Sequence, residues 1–392
     1  MEQGRTIMFI SDAVKYIGVD DRGIDLFESQ YPVENGVSYN SYLILDEKTA
    51  LMDTVDLRGL EGWSQKLSEA LSGRSLDYIV VQHMEPDHSG SLAYALEQYP
   101  DAVVVGTAKT FMFINQFFAV DISGRKLEVK EGDTLSLGTH TLQFATAPMV
   151  HWPEVMVTYE STEKLLFSAD GFGKFGALDT EEDWACEARR YYFNIVGKYG
   201  AAVQTLLKKV KGLDIQKILP LHGPVLTENL GYYLGLYDTW SGYAPETKGV
   251  FIAYASIHGN TKKVAELLAD KLRGLGEEKV VVTDLARADI AECVEDAFRY
   301  DRMVLCAATY DGGAFVPMED FLHHLQIKTY QNRTVGLVEN GTWAPMAAKA
   351  MRGYLESMKN ITILEEVVTI KSTYKAENEE ALDRLATAII QK

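Results

Sequence analysis

Within Val80-Val81-Gln82-His83-Met84-Glu85-Pro86-Asp87-His88-Ser89-Gly90, four side chains able to ligate a metal fall inside six residues: His83, Glu85, Asp87 and His88. The apolar stretch Tyr78 to Val81 runs straight into them and reads as a buried strand. Pro86 is expected to block regular structure, which puts the four ligands on a loop at a strand end, where α/β frameworks present chemistry. Three more apolar stretches end on a ligand: Ala147-Pro148-Met149-Val150-His151, Leu165-Leu166-Phe167-Ser168-Ala169-Asp170 and Ile218-Leu219-Pro220-Leu221-His222. Taken singly, His151, Asp170 and His222 read more readily as hydrogen-bonded structural residues. Together the set holds four His, two Asp and one Glu. One ion takes about four to six ligands, so seven suit two ions.

A second constellation opens with Val250 to Ala255, a strand, followed by Ser256-Ile257-His258-Gly259-Asn260-Thr261 and then a helix. A strand, a tight hydroxyl- and Gly-bearing turn and a helix N-terminus together make an anion site. Backbone N–H groups and the helix dipole face a phosphate, and Ser256 and Thr261 add hydroxyls. The turn lacks the Lys of a nucleoside triphosphate loop. Thr309-Tyr310-Asp311-Gly312-Gly313 and Asn340-Gly341-Thr342-Trp343 follow two later strands. Their glycines let backbone approach a flat ring, and Tyr310 or Trp343 could stack on it or simply pack.

The elements that position these residues fall into two halves. A chain of 392 residues suits two domains, expected at 1–245 and 249–392, with the boundary between Tyr243 and Lys248 where Pro245 and polar residues intervene. The first half has many short strands, among them Tyr42 to Leu45 and Ala102 to Val105. Leu57 to Leu71 is expected to be helical, as is much of Glu182 to Val210. The second half alternates strand and helix. Its strands are expected at Val250 to Ala255, Val280 to Thr283, Met303 to Ala308, Thr334 to Val338 and Thr362 to Thr369. Helical periodicity runs through Thr261 to Arg273 and again in Leu382, Leu385 and Ile389. Five such repeats indicate a doubly wound parallel sheet, whose ligands sit beyond the carboxyl ends of the strands.

Composition narrows the function classes. A formal charge of −18 argues against nucleic acid, whose phosphates require clustered Lys and Arg. No run approaches the roughly 18 apolar residues of a membrane helix, and the first ten residues show no secretory pattern. Cys186, Cys293 and Cys306 are too scattered for a disulfide framework or a metal knuckle and read as buried structural thiols. A cytoplasmic location is the expectation. His140, His258, His323 and His324 lack the strand-end context of the other histidines.

The H-x-[EH]-x-D-H loop followed by a lone His, Asp and His resembles the metallo-β-lactamase fold, an αββα sandwich with a binuclear site. Hydrolases of that superfamily carry His at the third motif position and bind zinc. Here that position is Glu85, a hard oxygen donor that favours redox-active iron. The Ser256-to-Thr261 loop and the Asn340-Gly341-Thr342-Trp343 segment resemble flavodoxin. Both halves, over essentially all 392 residues, are similar to the flavodiiron family.

That resemblance implies a metallo-β-lactamase-like diiron domain followed by a flavodoxin-like five-stranded domain that binds FMN. It implies that His83, Glu85 and His151 hold one iron, that Asp87, His88 and His222 hold the other, and that Asp170 bridges them. Tyr191 and Tyr192 are candidate hydrogen-bond donors beside the irons. The implied activity is reduction of O₂ to water or of NO to N₂O, in a head-to-tail homodimer. With no CxxC pair after the second domain, the electron donor is expected to be a separate protein, a rubredoxin or a flavin reductase. The rival readings are a binuclear zinc hydrolase with an attached flavodoxin module and a plain electron carrier.

Overall fold

The computed structural model describes residues 9–392. Packing divides the chain into two compact units, one running through Tyr191 and adding Ala201–Tyr237, the other made of Tyr192–Gly200 and Asp238–Lys392.

The first unit contains two sheets. One has strands β1 (Val14–Tyr16), β2 (Tyr42–Leu45), β3 (Thr49–Met52), β4 (Tyr78–Val80), β5 (Val103–Gly106) and β6 (Lys126–Glu128), in that spatial order. The other has β7 (Thr134–Ser136), β8 (Thr141–Thr146), β9 (Met156–Glu160), β10 (Leu165–Phe167) and β11 (Lys217–Leu219), again in order. The strands are short, and alternate residues share a face. Tyr42 and Ile44, Ala50 and Met52, Leu142 and Phe144, and Leu165 and Phe167 all enter one core drawn from both sheets. The helix Leu60–Leu71 turns Trp63, Leu67 and Leu71 inward, one per turn, and the Trp63 indole N–H donates to Ser41 Oγ at 3.0 Å.

The second unit carries β12 (Thr247–Ala255), β13 (Val280–Asp284), β14 (Tyr300–Tyr310), β15 (Arg333–Asn340) and β16 (Ile361–Ile370). Their order is β13-β12-β14-β15-β16, and every neighbouring pair is parallel. Strand order reverses at β12, so the loops leaving β12 and β14 lie side by side at the switch point. The helix Asn260–Gly274 buries Val264, Leu268 and Leu272 against Val250 and Ile252, and Leu382, Leu385 and Ile389 of the last helix join the same core.

Three sequence expectations change. Pro86 does not keep its neighbours out of helix. It stands at the first position of a short turn, Pro86–Ser89, where its missing N–H is not needed. Asp87 and His88 therefore ride on one helical turn. Glu182 to Val210 is helical for much of its length, as expected, in successive pieces: Trp184–Tyr191, a wide turn at Tyr192–Val196, a tight one at Gly197–Tyr199, and Gly200–Val210.

The domain boundary also differs. Tyr237 stacks on Phe172 of the first unit, whereas Trp240 packs on Tyr192, and the Tyr243 hydroxyl donates to Gly197 O at 2.8 Å in the second. Packing thus changes hands between Tyr237 and Asp238, and β12 already begins at Thr247. Finally, Cys293 and Cys306 are buried but Cys186 is exposed. It lies on the outer face of a helix whose inner face is Ala185, Ala188 and Arg189.

His140 pins one end of the sandwich. In the turn between β7 and β8, it places Nδ1 2.9 Å from Asp46 Oδ2 and Nε2 3.2 Å from Glu163 Oε1, so three strand connections meet at one ring. Burial lowers the His140 pKa, but hydrogen bonds to the two carboxylates outweigh it and raise the value overall. Desolvation would raise the Asp46 carboxyl, but the His140 N–H groups and the Glu47 N–H together outweigh it and lower the value overall.

For a raised His, the stabilisation is complete below the unfolded-state pKa and is lost as pH rises through the folded one. For a lowered Asp it is present above the unfolded value and lost as pH falls through the folded one. The cluster is strongest between those limits. His140→Gln should therefore cost about 2 kcal/mol near pH 6, where the bonds are charge-assisted, and clearly less at pH 9. Urea midpoints measured at the two pH values check this, and an equal loss at both would contradict it.

Candidate metal centre and flavin site

All seven sequence-predicted metal ligands meet in the first unit. β4 ends at Val80, and Val81 N still bonds to Val105 O, so the chain enters the ligand loop from a fixed strand. His83 and Glu85 follow at once, then the turn bearing Asp87 and His88. His151 caps the hairpin between β8 and β9, Asp170 follows β10, and His222 follows β11. The two sheets thus deliver ligands from four places to one buried point.

The ligand atoms fall into two groups, His83, Glu85, His151 and Asp170 in one and Asp87, His88 and His222 in the other. In the first, His83 Nε2 is 3.1 Å from Glu85 Oε2 and 3.3 Å from Asp170 Oδ2, and His151 Nε2 is 2.9 Å and 3.1 Å from the same two atoms. In the second, Asp87 Oδ2 lies 3.3 Å from His88 Nε2 and 3.2 Å from His222 Nε2, which are 3.0 Å apart. Asp170 belongs to both, since its other oxygen, Oδ1, is 3.1 Å from His88 Nε2.

The electrostatics follow from this crowding. Burial alone would lower the His83 pKa, but Asp170, with Glu154 and Glu85 behind it, holds it well above the ordinary range. The same opposition raises His151 to about 9 and raises His88. Burial would raise Glu85 and Asp170, yet the imidazoles around them bring both below the ordinary carboxylate range. Each group is thus held in its charged form only by its neighbours.

The donors fit metal ions better than they fit one another. Both oxygens of Asp87, Oδ1 of Asp170 and Nδ1 of His88 are buried without a hydrogen-bond partner among the described residues. His222 donates from Nδ1 to Ser38 O at 2.8 Å, which turns the Nε2 lone pair towards the other ligands. Imidazole nitrogens and carboxylate oxygens aimed at common points make a donor set that could hold shared cations.

Several positioning residues were not singled out from sequence. Gln82 donates to both Asp53 oxygens, at 2.7 and 2.9 Å, and the Thr54 hydroxyl donates to His88 O at 2.7 Å. Asn40 donates to Pro220 O and Gly223 O, setting the His222 loop. Glu154 lies 3.2 Å from His83 Nδ1. Each is a single polar residue whose partner is far away in sequence, so no local spacing announces it.

The two candidate tyrosines separate. Tyr191 is buried in the first unit, its ring 5.4 Å from that of His222 and its hydroxyl without a partner among the described residues. Burial, then Asp170, Glu85 and Asp87, push its pKa far up, so the phenol stays protonated. Tyr192 instead packs on Phe193 and Trp240 in the second unit. Neighbouring helical residues point about 100° apart, so the two rings do not share a target.

In the second unit, the predicted loops gather beyond the ends of β12, β14 and β15. Gly259 stands immediately before the helix Asn260–Gly274 with φ +85°, and its N–H donates to Ser256 Oγ at 3.1 Å. A side chain at Gly259 or Gly312 would meet nothing within 4 Å, so open space faces both glycines. Ile257 and His258 are exposed and Thr261 is buried. Asp311, Gly312 and Gly313 turn the chain back onto β14.

Three predicted flavin contacts serve the scaffold through their side chains. Thr309 Oγ1 accepts from Met346 N and Ala347 N, capping a helix, and Asn340 bonds to Ser372 N and O. Thr342 reaches Ser372 Oγ at 3.1 Å. Tyr310 is 46% exposed and Trp343 91%, so neither ring is consumed by the core and both are free to stack.

Comparison with known proteins agrees with this layout. Residues 37–223 match the ODP family beta lactamase domain and residues 251–380 a flavodoxin domain. The chain is 30% identical over 325 residues to a putative diflavin flavoprotein A 2 of Synechocystis, covering 81% of this chain and 55% of that one. It superposes on the rubredoxin oxygen:oxidoreductase of Desulfovibrio gigas with a TM-score of 0.91 and 25% identity, covering 97% of each. It is 31% identical over 384 residues to a nitric oxide reductase of Moorella thermoacetica, covering 94% of both. With a β-lactamase-like unit carrying seven candidate ligands and a flavodoxin-like unit later in the sequence, the chain belongs to the flavodiiron family of oxidoreductases.

Proposed function

We propose that this protein reduces dioxygen to water, nitric oxide to nitrous oxide, or both, at two irons in the first unit with electrons passed through FMN in the second. The observation that carries this reading is Asp170, whose two oxygens face two separate ligand groups 3.1 to 3.3 Å away. His83, Glu85 and His151 would hold one iron and Asp87, His88 and His222 the other, with Asp170 placed between the two groups.

The irons supply reversible one-electron changes and open positions for a diatomic gas, and FMN supplies electrons singly or in pairs. Overall, O₂ with four electrons and four protons gives two waters. Two NO with two electrons and two protons give N₂O and water.

The chain's own residues do the rest. Glu85, Asp87 and Asp170 offset metal charge, and the histidines fix the ligand directions. Tyr191 keeps its proton on Oη and would be a hydrogen-bond donor to a substrate bound beside His222. In the second unit, the turn from Ser256 to Thr261 takes the FMN phosphate. The loops at Thr309 to Gly313 and Asn340 to Trp343 flank its ring.

A zinc hydrolase remains the rival, and Glu85 speaks against it through its hard oxygen donor. A plain electron carrier would leave the seven ligands idle. The donor is a rubredoxin or a flavin reductase, and the working unit is a head-to-tail homodimer in which one chain's FMN serves the other's irons. No helix among the described residues is long and apolar enough to cross a membrane, and we place the protein in the cytoplasm.

Asp170→Ala should lower anaerobic NO or O₂ consumption by more than roughly 100-fold, beyond the cost of an outer-sphere change, while leaving FMN content unchanged. Normal turnover with both irons retained would remove the bridging assignment. Gly259→Leu with Thr261→Ala should lose FMN and keep iron, because φ +85° disfavours a side chain and Leu fills the phosphate's space. FMN at full stoichiometry in that variant would show the loop to be misassigned.

Purified heterodimers of these two parents then test the electron route. Turnover restored by the physiological donor supports the intersubunit path, and heterodimers as inactive as the parents contradict it.

A further inference from the structure

Glu154 is a carboxylate with a role that the metal site does not yet use. It is 2% exposed, three residues beyond His151 in the turn leading to β9. Its Oε1 lies 3.2 Å from His83 Nδ1 and accepts from Met84 N at 2.9 Å, while Oε2 is buried without a hydrogen-bond partner among the described residues. Burying a carboxylate is costly unless positive charge lies nearby. No Lys or Arg is paired with it among the described residues, and its ion-pair partner is the His83 ring. That ring gains positive character when Nε2 binds a cation.

The three oriented histidine edges are unequal. His83 has a carboxylate behind it, His222 the neutral carbonyl of Ser38 at 2.8 Å, and His88 Nδ1 no partner among the described residues. Glu154 also ties the His151 hairpin to the backbone of the His83 loop, and Met156 N, donating to Gln82 O at 3.1 Å, adds a second tie. Glu154 therefore acts on His83 directly and, together with the Met156–Gln82 bond, links its loop to the hairpin that carries His151.

We propose that Glu154 is a positioning residue that fixes His83 with its proton on Nδ1 and its Nε2 lone pair on the metal, so that metal retention at the His83–Glu85–His151 position, and not at the Asp87–His88–His222 position, depends on it. This rests on the two-metal reading of the centre. The hydrogen bond makes Nε2 a better donor and removes the rotational freedom of the ring, effects worth roughly 10- to 100-fold in metal affinity. A Glu154 that served only to cap Met84 N would give no such asymmetry.

The test uses the full chain loaded with zinc, a redox-silent probe for both positions. Wild type, Glu154→Gln and Glu154→Leu are challenged with a chelator, and zinc release is followed by colour and by residual metal content. Glu154→Leu should release one zinc roughly 10- to 100-fold faster and leave the other within about twofold of wild type. Glu154→Gln still accepts the two N–H groups without charge and should fall between.

In ¹⁵N-histidine-labelled, zinc-loaded wild type, His83, assigned by its loss in His83→Asn, should carry its proton on Nδ1. That proton should move upfield in Glu154→Gln. The proposal is overturned if both zincs leave either variant at wild-type rates, if both leave equally faster, or if His83 Nδ1 is unprotonated in wild type. The last measurement stands even should Glu154→Leu fail to fold. Wild type that takes up no zinc would overturn the metal reading itself and this proposal with it, a result distinct from the others.

Discussion

Asp170 is 1% exposed and has imidazole nitrogens on both sides of its carboxylate. A charged group so buried would be costly alone, and two more carboxylates stand within the same cluster. Much of the first unit can be understood as the scaffold that keeps this cluster together. Four histidines are held where they offset the carboxylates, and donor atoms are aimed at points where a cation gains from several of them at once. Truncating one member would leave its neighbours buried and uncompensated, which is why the set behaves as a unit.

Holding such a cluster requires rigid supports. Each ligand segment leaves a strand or a tight hairpin, and the strands around it share one apolar core. The loops are then clamped by polar residues that never reach the metal positions. The Thr54 hydroxyl holds His88 O, Asn40 holds the backbone of the His222 loop, and Gln82 bonds to Asp53 at both oxygens. Burial raises the Asp53 carboxyl to about 6 even though the Gln82 bonds oppose it. Those clamps turn a mobile loop into a site with fixed donor directions.

The legible part of this arrangement is that which repeats locally. An apolar run ending on His or Asp can be seen without a structure, and so can a strand, a Gly-bearing turn and a helix in series. The parallel sheet was readable because five strand–helix repeats recur. What stayed hidden depends on distance along the chain. Glu154 and His83 are 71 positions apart, and Asn40 is 180 from Pro220. Pro86 misled because proline excludes a helix interior but suits a helix start. The pair Tyr191 and Tyr192 misled for another reason. Adjacency in sequence suggests a shared role, while helical rotation sends the two rings apart, and only Tyr191 lies among the carboxylates.

Charge balance links the ligand set to the chemistry. Three carboxylates and four neutral imidazoles carry a total of three negative charges. Two Fe(II) ions bring four positive charges, leaving a surplus of one, and two Fe(III) ions leave a surplus of three. In a buried site a growing surplus is poorly screened, so the proposed ligand set would favour the reduced pair. A histidine in place of Glu85 would add one more positive charge to each state and tilt further against oxidation. Glu85 therefore does more than offer a hard donor. On the proposed ligand assignment it would remove one unit of surplus charge from either state, and Glu154, behind His83, would shift the same balance in the same direction.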